Sequence, residues 1–172
     1  MCKSLMVAAL LLAFGANAGA QNLLRRSAGN SQLIEITELG YTFGMGNFSN
    51  AGRLAIYESA VMPIFPAFGL GMGIGINYYV DANLNNMPLF GLMRVTFVQD
   101  FVGVYTDCKV GYALGDIKGF YLSPTLGVRF GRTNAVTLSA GYEMQQFSET
   151  DNFGSARRYT VNGLTLRMGF EF

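Results

Sequence analysis

The segment Gly163-Leu-Thr-Leu-Arg-Met-Gly-Phe-Glu-Phe172 decides how the rest of the sequence is interpreted. Alternate positions in it are apolar, namely Leu164, Leu166, Met168, Phe170 and Phe172. The positions between them are polar or small, namely Thr165, Arg167, Gly169 and Glu171. A repeat of two residues is typical of a β-strand with one apolar face and one polar face, so this segment is predicted to be a strand.

The same alternation occurs in seven earlier segments. They cover residues 33–45, 53–62, 68–77, 92–97, 104–113, 120–130 and 136–145. Two of them are irregular, because Glu58 falls on an apolar face and residues 33–36 change phase before Glu38. A β-bulge in each would explain the irregularity. The sequence therefore predicts an all-β chain of eight antiparallel strands.

The predicted connections differ in length at the two ends of this meander. Short ones cover residues 62–66, 99–101 and 131–134, and longer polar ones cover 47–52, 81–88 and 147–158, with 115–119 as a short exception. An even number of strands brings both ends of the barrel domain to the same side. This arrangement is typical of outer-membrane barrels, which have short periplasmic turns and longer external loops.

Composition excludes several kinds of chemistry. Of the 172 residues, 51% are hydrophobic and 13% are charged, and there are 22 glycines, 14 phenylalanines and no histidine. Without histidine there is no Ser-His-Asp or Cys-His catalysis and no histidine-liganded metal site. The formal net charge of +1 gives no electrostatic reason to expect nucleic acid binding. We expect no metal and no cofactor.

Residues 1–20 have the organisation of a secretory signal peptide. Lys3 precedes an apolar run over residues 5–14, and small residues follow at 15–20. The run is shorter than the roughly 20 apolar residues of a membrane-spanning helix. Cleavage after Ala18 or after Ala20 fits, and the second is favoured. We expect residues 21–32 to form a polar lead-in and residues 33–172 to form the barrel domain, with Cys108 as its single cysteine.

The alternation does not by itself say which face points inward. A soluble, lipocalin-like barrel would place the apolar face inside, whereas a membrane barrel would place it outside. The polar face is rich in glycine, and aromatic residues such as Phe68, Phe120 and Phe130 lie toward the ends of the apolar face. Both features favour the membrane barrel, and a boundary position would also explain Glu58.

In that orientation the polar face carries a set of charges that would fill the lumen. Its members are Glu38, Arg94, Asp107, Lys109, Arg129, Glu143, Arg167 and Glu171. An eight-stranded barrel has room for little more than side chains, so mutual neutralisation is favoured over tuned catalytic carboxylates. The alternating glycines at 69, 71, 73 and 75 lack the spacing of a phosphate loop. They would leave room for long side chains from neighbouring strands.

The chain resembles the small outer-membrane β-barrel domain family of Gram-negative bacteria, which includes OmpA-like and OmpX-like eight-stranded barrels. The segments 68–78 and 120–130 carry the resemblance together with the C-terminal strand. Leu164, Leu166, Met168, Phe170 and Phe172 resemble the C-terminal assembly signal that barrel-insertion machinery recognises in that family. The resemblance implies Sec-dependent export to the outer membrane, with both termini in the periplasm.

The resemblance does not determine the activity, because its members include adhesion-related barrels, structural barrels and lipid-modifying enzymes. We expect a non-enzymatic, monomeric barrel with a structural or surface-interaction role through its external loops. Its expected partners are membrane lipid and lipopolysaccharide, whose phosphates Arg157 and Arg158 are suited to bind. The alternatives are a histidine-independent lipid-modifying enzyme and a soluble periplasmic lipocalin-like protein.

Overall fold

The computed structural model is a closed barrel of eight antiparallel strands, which confirms the predicted fold class. It describes residues 33–46, 52–98, 100–131, 134–150 and 156–172. The strands are β1 (Ile34–Met45), β2 (Arg53–Phe65), β3 (Phe68–Tyr79), β4 (Leu84–Thr96), β5 (Val102–Gly115), β6 (Gly119–Phe130), β7 (Ala135–Thr150) and β8 (Ala156–Glu171). The predicted signal peptide and polar lead-in lie outside the described residues.

Each strand pairs with its neighbours in sequence, and β1 pairs with β8 to close the barrel. The backbone of Phe172 completes this closure by exchanging two hydrogen bonds with Glu35, at 2.9 and 3.3 Å. The end of the barrel that carries Ile34 and Glu171 is called the termini end below, and the opposite end is called the loop end. The described residues contain no helix that is long and apolar enough to cross a membrane.

The two expected bulges are not present where the sequence placed them. The pairing of β1 with β2 runs without a shift from Ile34 to Thr42, and that of β2 with β3 continues past Glu58. The register shift in β2 lies instead between Pro63 and Phe65, beside the tight turn. The sequence was misleading because Ile36 is an apolar residue that points inward, whereas Glu58 is a charged residue that points outward.

Two expected loops are also largely strand. The expected connection 81–88 shortens because β4 begins at Leu84, and Asn86 in it is buried. The expected connection 147–158 is mostly a paired hairpin, in which β7 continues to Thr150 and β8 begins at Ala156. Polar residues predict loops in soluble proteins, but in a barrel with a polar interior they also belong to strands.

The inside of the barrel is polar and the outside is apolar. Buried residues include Glu38, Asp107, Lys109 and Glu143, none of them more than 2% exposed. Outward positions carry exposed Leu, Ile, Val, Met and Phe side chains along every strand. This is the reverse of a soluble barrel, and it leaves an apolar exterior that water does not favour.

Glycines on the inner face make room for aromatic rings. A Cβ atom on Gly75 would lie 2.2 Å from Cδ1 of the Tyr57 ring, and one on Gly73 would lie 2.6 Å from the Phe90 ring. Tyr57 and Phe90 are both buried and their rings meet edge to face, with centroids 5.8 Å apart. The alternating glycines of β3 therefore form the wall against which these two rings pack.

We predict that Gly75→Ala destabilises the barrel by about 1–3 kcal/mol, because the new methyl group overlaps the Tyr57 ring. The matched control is Gly91→Ala on the outer face, where a Cβ atom would meet only the carbonyl oxygen of Val110, at 3.8 Å. Urea unfolding of both variants in detergent measures the difference. An equal effect of the two substitutions would contradict this packing.

Candidate functional site

All eight charged residues predicted for the lumen lie on the inner face of the barrel. Seven of them are at most 5% exposed, while the side chain of Arg129 is 20% exposed. The seven most buried are Glu38, Arg94, Asp107, Lys109, Glu143, Arg167 and Glu171. Every one of the eight takes part in an ion pair. They form three groups along the barrel.

The loop-end cluster consists of Arg53, Glu143 and Arg167. Glu143 lies between the two guanidinium groups, 2.8 Å from Nη2 of Arg53 and 2.8 Å from Nη2 of Arg167. The side chains of all three are fully buried. Nη2 of Arg167 also donates to Oγ of Ser123 at 2.6 Å, and the Tyr57 hydroxyl lies within 3.4 Å of both oxygens of Glu143. One carboxylate thus balances two arginines.

The central pair is formed by Lys109 and Glu38, whose side chains are in contact and almost completely buried. The Lys109 ammonium group also lies over the faces of two rings, 4.7 Å from the Tyr57 centroid and 5.5 Å from the Phe90 centroid. Cation–π contacts of this kind stabilise a desolvated ammonium group. The central pair therefore joins the charged interior to the aromatic wall that the β3 glycines accommodate.

The termini-end cluster consists of Arg94, Asp107, Glu171 and Arg129. Arg94 forms a bidentate pair with Asp107, in which Nε and Nη2 each donate at 2.7 Å, and its Nη1 contacts Glu171. Nε of Arg129 lies 3.1 Å from the other oxygen of Glu171. Bidentate guanidinium–carboxylate pairs are among the strongest charge-assisted hydrogen bonds. This cluster ties β4, β5, β6 and β8 together across the barrel.

A polar layer closes the loop end above these charges. The Tyr79 hydroxyl and the Asn86 amide both donate to Oε1 of Gln145, at 2.8 and 2.6 Å. The Gln145 amide donates in turn to the carbonyl oxygen of Ile117, at 2.9 Å. Ile117 is 8% exposed and packs with Tyr79 and Val161. The short connection between β5 and β6 therefore folds over the lumen.

Sequence reasoning missed several members of this interior. Arg53 is fully buried but was not assigned to the lumen, and the four buried tyrosines Tyr57, Tyr79, Tyr105 and Tyr121 were not recognised as part of the network. The sequence did contain the information that places Arg53 in the lumen. Leu54 and Ile56 define the outer face of β2, so Arg53 falls on the inner face. Tyrosine was less informative, since it occurs on both faces of this barrel.

The remaining predicted site residues lie elsewhere. Leu164, Leu166, Met168, Phe170 and Phe172 form an outward apolar stripe and are 46–54% exposed. The backbone of Arg157 pairs with that of Glu149, and the backbone of Arg158 pairs with that of Ser148, beyond the closed part of the barrel. The structure describes the backbone of these two arginines but not their side chains. Within the described ranges there is no His, Cys, Asp and Glu group that could hold a metal ion.

Comparison with known proteins bears on the fold. No protein-family model matches the chain, and no curated protein matches it. The crystal structure of Neisserial surface protein A (NspA) resembles it with a TM-score of 0.61 and 14% sequence identity, over 83% of this chain and 97% of that one. A de novo designed transmembrane β-barrel has a TM-score of 0.47 and 14% identity, over 81% and 94% of the two chains.

The chain has the fold of a transmembrane β-barrel. NspA is an eight-stranded outer-membrane barrel, so the resemblance inferred from the sequence is confirmed at the level of fold. At this low identity the comparison says nothing about activity. The arrangement of the interior indicates a filled lumen, because paired charges, rings and the Gln145 layer occupy it from end to end.

We predict that Glu143→Gln destabilises the barrel by about 3–5 kcal/mol, because it leaves both Arg53 and Arg167 buried without their carboxylate. Arg53→Met should cost less, since Glu143 keeps Arg167 as its partner. Ser139→Ala, also on the inner face, is the control and should have little effect. The free energy of unfolding in detergent is the measurement. If Arg53→Met proved as costly as Glu143→Gln, the shared carboxylate would not be the centre of the cluster.

We also predict that the purified protein does not conduct ions. Aqueous channels occur in much wider barrels, of roughly 16 strands, and here side chains fill the interior. Planar bilayer recordings should show no regular single-channel steps, either for the unmodified protein or for Arg167→Ala. Steady and reproducible steps from the unmodified protein would contradict the filled lumen and favour a transport function.

Proposed function

We propose that the protein is an integral outer-membrane β-barrel without enzymatic activity, whose loop end makes contacts at the cell surface. The observation that carries the proposal is the reversed distribution of polarity, with ion pairs inside and exposed apolar side chains outside. Such an exterior is stable in a lipid bilayer and unstable in water. The NspA-like fold supports the outer membrane as the location.

The loop end is the part that is suited to make contacts. The pairing of β7 with β6 extends to Gln145, and that of β8 with β1 extends to Asn162. Beyond these positions, residues 146–150 pair with residues 156–160. The hairpin thus extends past the closed barrel, and among the described residues its outer edges carry no further strand. Projecting polar segments on a rigid scaffold are common sites of recognition.

The partner chemistry that we propose for this hairpin is phosphate, as in lipopolysaccharide. Arg157 and Arg158 are neighbours in sequence at the start of β8, where the hairpin projects. A guanidinium group binds phosphate oxygens in a bidentate manner, which lysine does not. In the same proposal the protein is exported through the Sec pathway, and its termini end faces the periplasm.

An epitope-tag experiment tests the orientation. A small tag inserted after Gly154, in the β7–β8 connection, should be reached by antibody on intact cells. A tag inserted after Thr133, in the β6–β7 connection at the other end of the barrel, should be reached only after the outer membrane has been permeabilised. The opposite pattern of accessibility would overturn the orientation, and labelling of neither tag in membrane fractions would overturn the location.

We predict that Phe172→Asp blocks insertion into the outer membrane in cells. Phe172 ends the apolar stripe that resembles an assembly signal, and its side chain is 47% exposed on the outer face. Phe172→Leu keeps an apolar side chain and the same backbone hydrogen bonds with Glu35, so it is the matched control. Levels in the outer-membrane fraction report the result. Normal levels of Phe172→Asp would show that this residue is not part of an insertion signal.

A further inference from the structure

The apolar band on the outer face of the barrel is tall on one side. One residue along a tilted strand corresponds to about 2.5 Å of height. On β5 the outward positions of residues 102–114 are apolar apart from Thr106 and Cys108, which gives a band of about 30 Å. The band is about 25 Å tall on β3, over residues 68–78, and on β4, over residues 87–97. These three strands are called the tall face below.

On the opposite side of the barrel the band is shorter. It is about 20 Å tall on β7, over residues 136–144, and on β8, over residues 164–172. On β1 it covers only residues 39–45, which gives about 15 Å. β1 and β5 lie opposite each other in the closed barrel of eight strands. The strands β7, β8 and β1 are called the short face below.

Polar side chains limit the band on β1. The outward positions between the start of this strand and Leu39 are Glu35 and Thr37. The Thr37 hydroxyl donates to Oε2 of Glu58 at 2.9 Å, so the polar edge continues onto β2. The strand itself continues through these positions and pairs with both neighbours. The short band is therefore a property of the side chains and not of a short strand.

A bilayer of uniform thickness does not match both faces. Outer-membrane barrels carry an apolar band of about 25 Å, which the tall face reaches and the short face does not. A tilt of the barrel moves the two faces in opposite directions along the membrane normal, but it leaves the height of each band unchanged. A band that is shorter than the hydrocarbon region is accommodated when the adjacent bilayer becomes thinner.

We propose that the membrane is locally thinned beside the short face, which therefore selects lipids with shorter acyl chains than the tall face does. The position of Glu58 supports the proposal. It lies near the middle of the 13-residue strand β2, and an ionisable group is costly in the hydrocarbon region of a full-thickness bilayer. Thinning beside β1 brings the headgroup region at the termini end closer to Thr37 and Glu58.

Tryptophan fluorescence at chosen sites tests the proposal, because the chain has no tryptophan of its own. Leu39→Trp reports on the short face and Leu89→Trp on the tall face, and the two leucines are similarly exposed, at 52% and 45%. Each variant is placed in vesicles that mix dimyristoleoyl phosphatidylcholine with brominated dioleoyl phosphatidylcholine, whose bromine atoms quench nearby tryptophan. The converse mixture, with bromine on the shorter lipid, removes the effect of reporter depth.

The quenching curves give the relative binding constant of the two lipids at each reporter. We expect the preference for the shorter lipid to be about twofold to fourfold higher at Leu39→Trp than at Leu89→Trp, since each ångström of mismatch has a modest cost. This comparison uses barrels that are otherwise unmodified.

A second set of variants tests the role of the polar edge. Glu35→Leu, Thr37→Leu and Glu58→Leu together extend the β1 band to about 25 Å, and they should remove the difference between the two reporters. Thr106→Val is the matched control on the tall face, where the Thr106 hydroxyl donates to a backbone carbonyl oxygen of its own barrel. It should leave the difference unchanged. Urea unfolding in detergent checks that each variant is folded.

Equal preferences at the two reporters in the otherwise unmodified barrel would overturn the proposal, as would a difference that persists in the folded triple variant. A short-face tryptophan that neither brominated lipid quenches would also overturn it, because a second protein chain would then cover that face. The inference rests on the proposed membrane location, whose failure has a different result: neither reporter would then be quenched by either lipid.

Discussion

A lumen enclosed by eight strands is filled by side chains, so every charge buried in it needs a partner within a few ångströms. Glu143 shows this requirement most clearly, because it forms ion pairs with arginines from two different strands, Arg53 of β2 and Arg167 of β8. Arg94 does the same at the termini end by pairing with carboxylates of β5 and β8. These contacts fix distant strands relative to one another.

The glycines and the aromatic rings follow from the same lack of space. Several long inner side chains fit because a neighbouring strand has a glycine beside them. Gly40 lies against the Arg167 side chain, and Gly127 lies against the Tyr105 ring. Tyr105 in turn supports Arg94, whose guanidinium carbon lies 4.3 Å from the ring centroid. The interior is therefore an assembly of complementary sizes as well as of complementary charges.

The sequence predicted the strand count, the antiparallel topology and the face to which most charges belong, because a repeat of two residues is preserved along nearly every strand. It failed where one residue broke the binary pattern. Ile36 is apolar but points inward, and the sequence predicted a shift of phase there. Glu58 is charged but points outward, and the sequence predicted either a shift of phase or a position near the membrane boundary. Pairing register supplies the missing information, since cross-strand neighbours decide which face a residue occupies.

The alternating pattern also could not predict which charged residues pair with each other. Alternation shows that Glu143 and Arg167 share the interior, but it does not show that Arg53 completes their cluster from the other side of the barrel. Likewise, polar residues near Asn86 and Gln145 predicted loops or were left without a role, although they form the layer that closes the loop end. Such contacts depend on strand order and stagger, which emerge only when the barrel closes.

Fractionation of cells that produce the native chain shows whether the apolar face of the barrel contacts lipid. Membranes are separated by density and then washed with alkaline carbonate and with urea, which remove peripheral proteins. A barrel whose apolar face contacts lipid should stay in the outer-membrane pellet after both washes. Recovery of the folded chain in the soluble periplasmic fraction would contradict that orientation, and a soluble ligand-binding barrel would then explain the chain better.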